Sequence, residues 1–452
     1  MAFLIGGANS AAADAAYSVA NSCRFDGSSS RLAKSSATGT SNTKGTISWW
    51  IKRGKLGVAE RFINSNNVHG DPGYLQIYFK EDDTLRVQVY DGGSTTELIT
   101  DREFRDPSAW YHMVFSYDST PSTPSSSSIR LFINGTQETS FSTETYASQN
   151  VVHYFHEGNF QVGSYDNGSY FSGYMAEVVM CDGQAYAASD FGEFDSDSPT
   201  IWKPKDVSGL TFGDNGFYLD FEDSANLGND ANGGTDFGET NLAATDQSSD
   251  SPTNNFAVMN PLLVGSNIPD FREGNLEIED TNQDAYQGTY GTIQVPTSGL
   301  WYWEIKNASG ADIGGSTEEG VIGGVYDSRM QSLADPSRIT YTTTELSDYI
   351  SGGAANLDDG EIAGILVDRD NATLKIYIED SLYATKTSVT AEPIFPLCIV
   401  FGNGGTCKLQ VNFGNPVHSI SSANQDPNGY GSFEFATKSG YALCSKNLAE
   451  QG

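Results

Sequence analysis

Positive charge is scarce in this sequence and nowhere clustered. Its 452 residues carry 25 lysines and arginines against 58 aspartates and glutamates, a formal charge of −33. Phosphate backbones are held by clustered Lys and Arg, so nucleic acid is excluded as a partner. An anionic membrane surface is excluded on the same ground. The charge favours solubility and mutual repulsion at high local concentration. Cysteine is scarce too: Cys23, Cys181, Cys398, Cys407 and Cys444, with no C-x-x-C pair. Zinc spacing and a redox motif are therefore missing. Cys23 and Cys181 sit near the two ends of one patterned region, where terminal strands could meet in a disulfide; buried free thiols are the alternative. No stretch approaches the roughly 18 apolar residues of a membrane helix. The opening Met1-Ala-Phe-Leu-Ile-Gly-Gly lacks a basic segment and has only a very short apolar run, so it does not read as a secretory signal. The expectation is synthesis in a cytoplasm. Sustained 3.6-residue periodicity and coiled-coil heptads are also missing, so nothing here predicts a helical bundle or a coiled-coil trimer.

What is present reads as β-structure. Hydrophobic residues make up 38% of the chain, which rules out a disordered protein, and aromatics at 12% with 48 glycines fit strands punctuated by turns. The length predicts two or three domains. Residues 1–20 are small and Ala-rich, a short helix or an arm. From 21 to 205 the pattern has period two. Ile47, Trp49 and Ile51 share a face, as do Leu75, Ile77 and Phe79, then Leu85, Val87 and Val89, then Met113, Phe115 and Tyr117. Ile129, Leu131 and Ile133 run into Asn134-Gly135, a strong hairpin signal. Tyr174, Ala176, Val178 and Met180 are expected to share a face of a late strand. Pro121 to Ser128 reads as an exposed loop. Trp49 and Trp50 point oppositely if extended, so one needs a cover from a neighbouring strand or subunit.

Residues 206–262 change character. Gly, Asn, Asp, Ser and Thr dominate, interrupted by a short strand at Phe217-Tyr-Leu-Asp-Phe221. This predicts an extended bridge with little regular structure, free or wrapped against a module. Alternation resumes over 263–437, where Trp301, Trp303 and Ile305 share a face. Val321 to Val325 reads as a Gly-rich strand. Ile362–Asp368 and Leu374–Glu379 flank Arg369-Asp-Asn371 as a hairpin. Residues 438–452 read as a tail. The fold class predicted is all-β: two β-sandwich or jelly-roll modules joined by an extended irregular bridge.

Catalytic patterns are sparse. A retaining glycosidase needs two carboxyls roughly 5 Å apart. The nearest candidate, Glu277-Ile-Glu279-Asp280, lies outside the first module and lacks a third acid. No Gly-x-Ser-x-Gly elbow occurs. His153 and His156 near Glu157 could be imagined on a metal, but three-residue spacing on a strand does not converge two rings. The Asn-x-Ser/Thr sites at Asn134, Asn167, Asn307 and Asn371 carry meaning only in a eukaryotic secretory route. A glycan site needs aromatic platforms with polar side chains on loops, and His69, Tyr90, Tyr165 and Tyr170 are the candidates.

Cys23-Arg-Phe-Asp-Gly27, Thr46-Ile-Ser-Trp-Trp50, Trp110-Tyr-His-Met-Val114, Leu131-Phe-Ile-Asn-Gly135, Gly163 within Phe160-Gln-Val-Gly163, Phe171-Ser-Gly173 and Ala176-Glu177-Val178 form an ordered series. In order and spacing it resembles a laminin-G-like, concanavalin-A-type jelly roll over about 180 residues. That resemblance implies calcium at loop tips, for which Asp71, Asp91, Asp166 and Asn167 are the candidate ligands. Trp301-Tyr-Trp-Glu-Ile305, Gly320-Val-Ile-Gly-Gly-Val325, Gly360 to Asp368 with Leu374-Lys-Ile-Tyr377, Pro393-Ile-Phe-Pro396 and Val411-Asn-Phe-Gly414 resemble a SPRY domain. Glu379-Asp380-Ser381 stands where that family usually has Asn-Gly.

The series of modules with its Asn/Asp-rich bridge is similar to virion structural proteins of tailed bacteriophages. This implies a tail fiber, appendage or capsid-decoration protein at the virion surface, made in the host cytoplasm and released by lysis. It implies other virion proteins as partners, a homo-oligomer, recognition of a host-surface polysaccharide, and no enzymatic role. A soluble carbohydrate-binding lectin and a glycan-degrading enzyme are the alternatives.

Overall fold

The computed structural model describes residues 17–36, 39–66, 73–155, 158–165, 168–262, 269–280, 287–310, 321–327, 357–389, 391, 393–400 and 406–452. The chain is nearly all β. It divides into two compact units between Thr253 and Asn254. Among the described residues, no helix is long and apolar enough to cross a membrane.

The first unit is built on two large antiparallel sheets, with a separate two-stranded pair of Gly192–Phe194 and Trp202–Pro204. One runs, in spatial order, Thr136–Gln137, Ile129–Ile133, Tyr111–Asp118, Lys44–Arg53, Ser172–Asp182, Ser22–Asp26 and Gln247–Ser248, with Phe217–Leu219 also paired to Ser172–Asp182. The other runs Phe141–Thr145, Thr95–Glu103, Thr84–Tyr90, Tyr74–Phe79, Glu60–Asn66, Gly158–Val162, Arg31–Ser36 and Gly238–Thr240. Side chains alternate across each strand, so the apolar half of each meets the other between the sheets. Phe25, Trp49, Ile51, Ile63, Leu75, Ile77, Val87, Val89 and Phe115 pack there in one buried cluster. Each such side chain contributes roughly 1.5–3 kcal/mol through burial. This is a laminin-G-like, concanavalin-A-type jelly roll.

Three expectations are refined by the packing. Tyr174, Ala176, Val178 and Met180 do not share a face. The register to the Lys44–Arg53 strand shifts between Ala176 and Val179, around Glu177 at φ 50°. This bulge moves the core side from Met175 to Val178 and Met180. The Asn134-Gly135 turn forms with both residues left-handed, φ 47° and 79°. A Cβ at Gly135 would lie 2.3 Å from the Trp202 ring, so glycine is required there for space as well as for conformation. Cys23 and Cys181 are free and buried, as is Cys444, and Cys398 and Cys407 are buried too.

The 206–262 stretch is largely irregular, as its composition implies, but it is not one bridge. Residues through Thr253 belong to the first unit and those from Asn254 to the second. Within the first part, Phe217–Leu219, Gly238–Thr240 and Gln247–Ser248 each extend a sheet. The segment is fastened by ion pairs out of water. Lys34 Nζ lies 3.3 Å from Asp230, and Lys52 Nζ lies 2.7 Å from Asp250. Asp250 also accepts from the Trp110 indole at 2.9 Å. Residues 1–16 of the predicted arm lie outside the described residues. Tyr17 donates to Glu177 Oε2 at 2.9 Å, and the Tyr218 hydroxyl donates to the same carboxyl. Burial, with Asp220 and Glu222 nearby, pushes the Glu177 carboxyl up to about 7 against the two hydroxyl bonds.

The second unit holds a seven-stranded sheet in the order Asp270–Arg272, Glu277–Glu279, Lys408–Asn412, Leu300–Asn307, Ile362–Asp368, Thr373–Ile378 and Ser381–Thr387. A three-stranded sheet joins Gln287–Tyr290, Ile394–Val400 and Val321–Asp327. Trp301, Trp303 and Ile305 are buried, as their alternation predicts. Glu379 and Asp380 make the turn before Ser381–Thr387 with φ 47° and 64°, the conformation Asn-Gly would supply. The 438–452 segment does not behave as a tail. Its Tyr441 exchanges backbone hydrogen bonds with Leu300 and Tyr302, Ala442 and Cys444 join a buried cluster with Tyr302 and Phe433, and Ser445–Gln451 is a helix. Apolar residues too few to show periodicity were enough to bury it.

Candidate functional site

The two sheets of the first unit have different outer faces. On the sheet containing Lys44–Arg53, the outward residues are roofed by the same chain. Trp50, expected to need a cover, lies 4.7 Å from the His112 ring, and His112 stacks at 5.9 Å on Trp202. An indole N–H can only donate. Trp202 Nε1 therefore donates to His112 Nδ1 at 2.9 Å, and Nε2 carries the proton toward Ser48 Oγ at 2.9 Å. Burial holds this imidazole neutral, down to about 3. The face is a closed structural interior.

The outer face of the other sheet is built from the residues that alternate with its core positions. Tyr74, Gln76 and Tyr78 alternate with Leu75, Ile77 and Phe79; Arg86, Gln88 and Tyr90 alternate with Leu85, Val87 and Val89. Strand register then lines up a polar row across five strands: Gln161 opposite Asn64, Asn64 opposite Gln76, Gln76 opposite Gln88, and Gln88 opposite Glu97. Tyrosines flank it. Tyr74 and Tyr90 face each other across strands with ring centroids 5.3 Å apart, and the Tyr74 hydroxyl donates to Gln88 Oε1 at 3.1 Å. On the opposite flank, Arg61 lies over the Tyr78 ring at 4.6 Å and over Tyr165 at 5.1 Å. Arg86 is tied to Glu97 at 2.6 Å and to the Tyr78 hydroxyl.

Within this row the polar groups are not all satisfied. Asn64 is 0% exposed, and neither end of its amide has a hydrogen-bond partner. A buried polar group left unpaired costs about 1–3 kcal/mol. A face with donors, acceptors and aromatic rims suits a polyhydroxylated ligand, whose hydroxyls pair with amides while its apolar ring faces lie on tyrosines.

Of the residues expected from sequence, Tyr90 and Tyr165 fall on this face, on its two flanks. Tyr170 follows Tyr165 in the same loop. His69, Asp71, Asp166 and Asn167 lie outside the described residues. Asp91 is engaged within its own loop. Its Oδ1 accepts from the amides of Gly93 at 2.9 Å and Ser94 at 2.6 Å, which closes its own turn. Among the described residues, no group of three or more His, Cys, Asp or Glu could hold a metal ion. His153 is buried, with Nε2 2.9 Å from the Lys44 carbonyl and Nδ1 accepting from Phe155 N, and His156 and Glu157 lie outside the described residues. In the second unit Glu277 accepts from Gln410 and Glu279 pairs with Arg272 at 3.0 Å, so these carboxyls serve the strand edges.

Tyr74, Tyr78, Asn64, Gln76, Gln88, Gln161, Arg61 and Arg86 were not singled out from sequence. For Tyr74, Gln76, Tyr78, Arg86 and Gln88 the signal was present in the alternate positions of strands used to find the core, whereas Arg61, Asn64 and Gln161 lie on strands whose period was not read from sequence.

Solved structures with low overall similarity include the LG1-3 region of the laminin alpha2 chain, at 9% identity, TM-score 0.35, covering 89% of this chain and 64% of that one. The SPRY domain of human HERC1 aligns at 12% identity, TM-score 0.27, over 34% of this chain and 96% of that one. Domain 4 of a GH43 extracellular arabinanase from Geobacillus stearothermophilus, in complex with arabinotriose, aligns at 16% identity, TM-score 0.25, over 33% and 65%. No curated protein matches the sequence at a significant level. Residues 26–187, inside the first unit, match the family model of the concanavalin A-like lectin/glucanases superfamily, in its laminin G form.

Proposed function

We propose that this protein is a glycan-binding component of a virion surface, a tail fiber, appendage or capsid decoration, acting by binding and display rather than by catalysis. The observation that carries the glycan part is the outer face of the Tyr74–Phe79 sheet: an amide row with an unpartnered Asn64, rimmed by tyrosines. The lectin-type family match over residues 26–187 supports it. Support for the virion part comes from the ordered resemblance of both modules and the bridge to tailed-phage structural proteins. A charge of −33 also keeps a surface protein soluble at high local density. Self-assembly and neighbouring virion proteins follow as expected partners, since surface appendages are symmetric.

Two measurements test the two parts separately. In a glycan array followed by calorimetry, the intact chain should bind at least one host-surface polysaccharide, and Tyr90→Ala should weaken that binding about tenfold. Binding left intact by both Tyr74→Ala and Tyr90→Ala would remove this face from consideration. Immunogold microscopy of purified particles should label the tail, fibers or head. Protein found only in lysates, with unlabelled particles, would favour the soluble lectin.

A further inference from the structure

The glycan reading leaves an imbalance of charge on the same face. The chain has 58 acids to 25 bases, and many of its cations lie against a carboxylate. The buried ones have theirs: Lys52 with Asp250, Lys34 with Asp230, Arg53 with Glu60 and Asp83. On the outer face, Arg86 is matched by Glu97. Arg61 is not matched. Its guanidinium lies between the Tyr78 and Tyr165 rings, donates to Ser169 Oγ at 3.2 Å, and has a buried Nε without an acceptor. Arg31 opens the Arg31–Ser36 strand, and its Nε is likewise buried and unpartnered. Leu32 is core, so Arg31 stands on the outward side, two strand spacings or roughly 10 Å from the Glu60–Asn66 strand. Among the described residues, neither guanidinium has a carboxylate within ion-pair distance. Asn64, unpartnered and fully buried, sits three residues along the same strand as Arg61.

Resting on the glycan reading, we infer that the ligand is an anionic glycan, whose carboxylate or sulfate oxygens are taken by Arg61, with Arg31 beside it, while Asn64 pairs with a neighbouring hydroxyl. Arginine offers a planar fork that matches such oxyanions in two bonds. Stacking on two tyrosines fixes that fork before the ligand arrives, which lowers the ordering cost of binding. The −33 charge of the chain does not forbid this. At physiological ionic strength the Debye length is about 8 Å, so distant acids are screened while a contact pair is not.

The test uses the full chain and paired probes. Oligomers of galacturonate and mannuronate are compared by calorimetry with their carboxyl-reduced, neutral counterparts, and carrageenan oligosaccharides with their desulfated forms. The expected result is at least tenfold tighter binding of one charged class than of its neutral partner. Arg61→Gln should erase that preference, and Arg61→Lys should restore only part of it, since a lysine keeps the charge and loses the fork. The uronate and sulfate arms show which oxyanion is bound. Equal binding of charged and neutral forms, abolished by Tyr74→Ala with Tyr90→Ala, would overturn the anionic inference and leave the glycan site standing. No binding in any arm or to any neutral probe would overturn both. Melting temperatures within a few degrees of the parent chain show that the variants are folded.

Discussion

The two outer faces of the first unit begin with the same problem and solve it differently. Both carry polar and aromatic side chains on strands whose other side is core. On the Lys44–Arg53 sheet, residues from Trp202 to Asp250 lie over the face and pair several of its buried polar groups, His112 with Trp202 and Ser48, and Lys52 and Trp110 with Asp250, although the buried Arg130 Nε has no partner. On the Tyr74–Phe79 sheet, Asn64 is as deeply buried and has nothing. An interior evolved only for stability pairs or removes such a group. The two faces differ in how much of their polar surface the chain itself pairs, and the amide of Asn64 is the group left over on the second.

The comparison breaks most visibly at Asp250. Asp250→Ala strands the Lys52 ammonium out of water and leaves the Trp110 indole unpaired. Denaturant titration should show a loss of about 3–5 kcal/mol. Glycan affinity of the folded fraction should not change, and a loss of affinity would mean the two faces are coupled.

The pH dependence comes next. Glu177, ordinarily near 4.5, is raised to about 7 when folded. Its folded form therefore holds a proton that the unfolded chain has released between those values. This contribution is fully present below about pH 4.5 and is lost as pH rises through 7. Stability should fall over that window by about 3 kcal/mol. Glu60, buried and raised to about 7 against the pull of Arg53, adds a loss of the same sign. In Glu177→Gln, unfolding curves at successive pH values should be flatter than in the parent; an unchanged slope would mean that Glu177 is charged in the native state.

Smaller effects sharpen the tyrosine-rimmed face. Tyr90→Ala should cost about tenfold in glycan affinity, close to 1.4 kcal/mol, with less change in stability, because Tyr90 is not in the core cluster. Asn64→Leu should act in opposite directions on the two quantities. Removing an unpaired buried amide should raise stability by about 1 kcal/mol in urea titration, while calorimetry should show weaker glycan binding. A stability loss instead would mean that Asn64 is satisfied in the folded protein.

Much of the first unit was legible in its period-two runs, since a strand with one buried side must alternate. Leu75, Ile77 and Phe79 went to the core on that rule, and the rule failed at Glu177, and again at Phe62 and Ile63, where a bulge inserts a residue without changing composition. The second unit's end was missed for a different reason. Ala442 and Cys444 are small, and nothing in their spacing distinguishes a buried segment from a loose one.

Alternation and turn chemistry thus determined, from sequence alone, that the chain is β, many of the residues that fill the first core, and that the Asn134-Gly135 turn reverses it. These are local matters of backbone geometry and of transfer from water. Sequence also gave Tyr90 and Tyr165 as aromatic candidates, but not their companions. Only the tertiary structure decided that Gln161, Asn64, Gln76, Gln88 and Glu97 form one row, because cross-strand register joins residues up to about a hundred positions apart. It alone decided which face the chain covers with its own residues, since that depends on where Trp202 and Asp250 return in space.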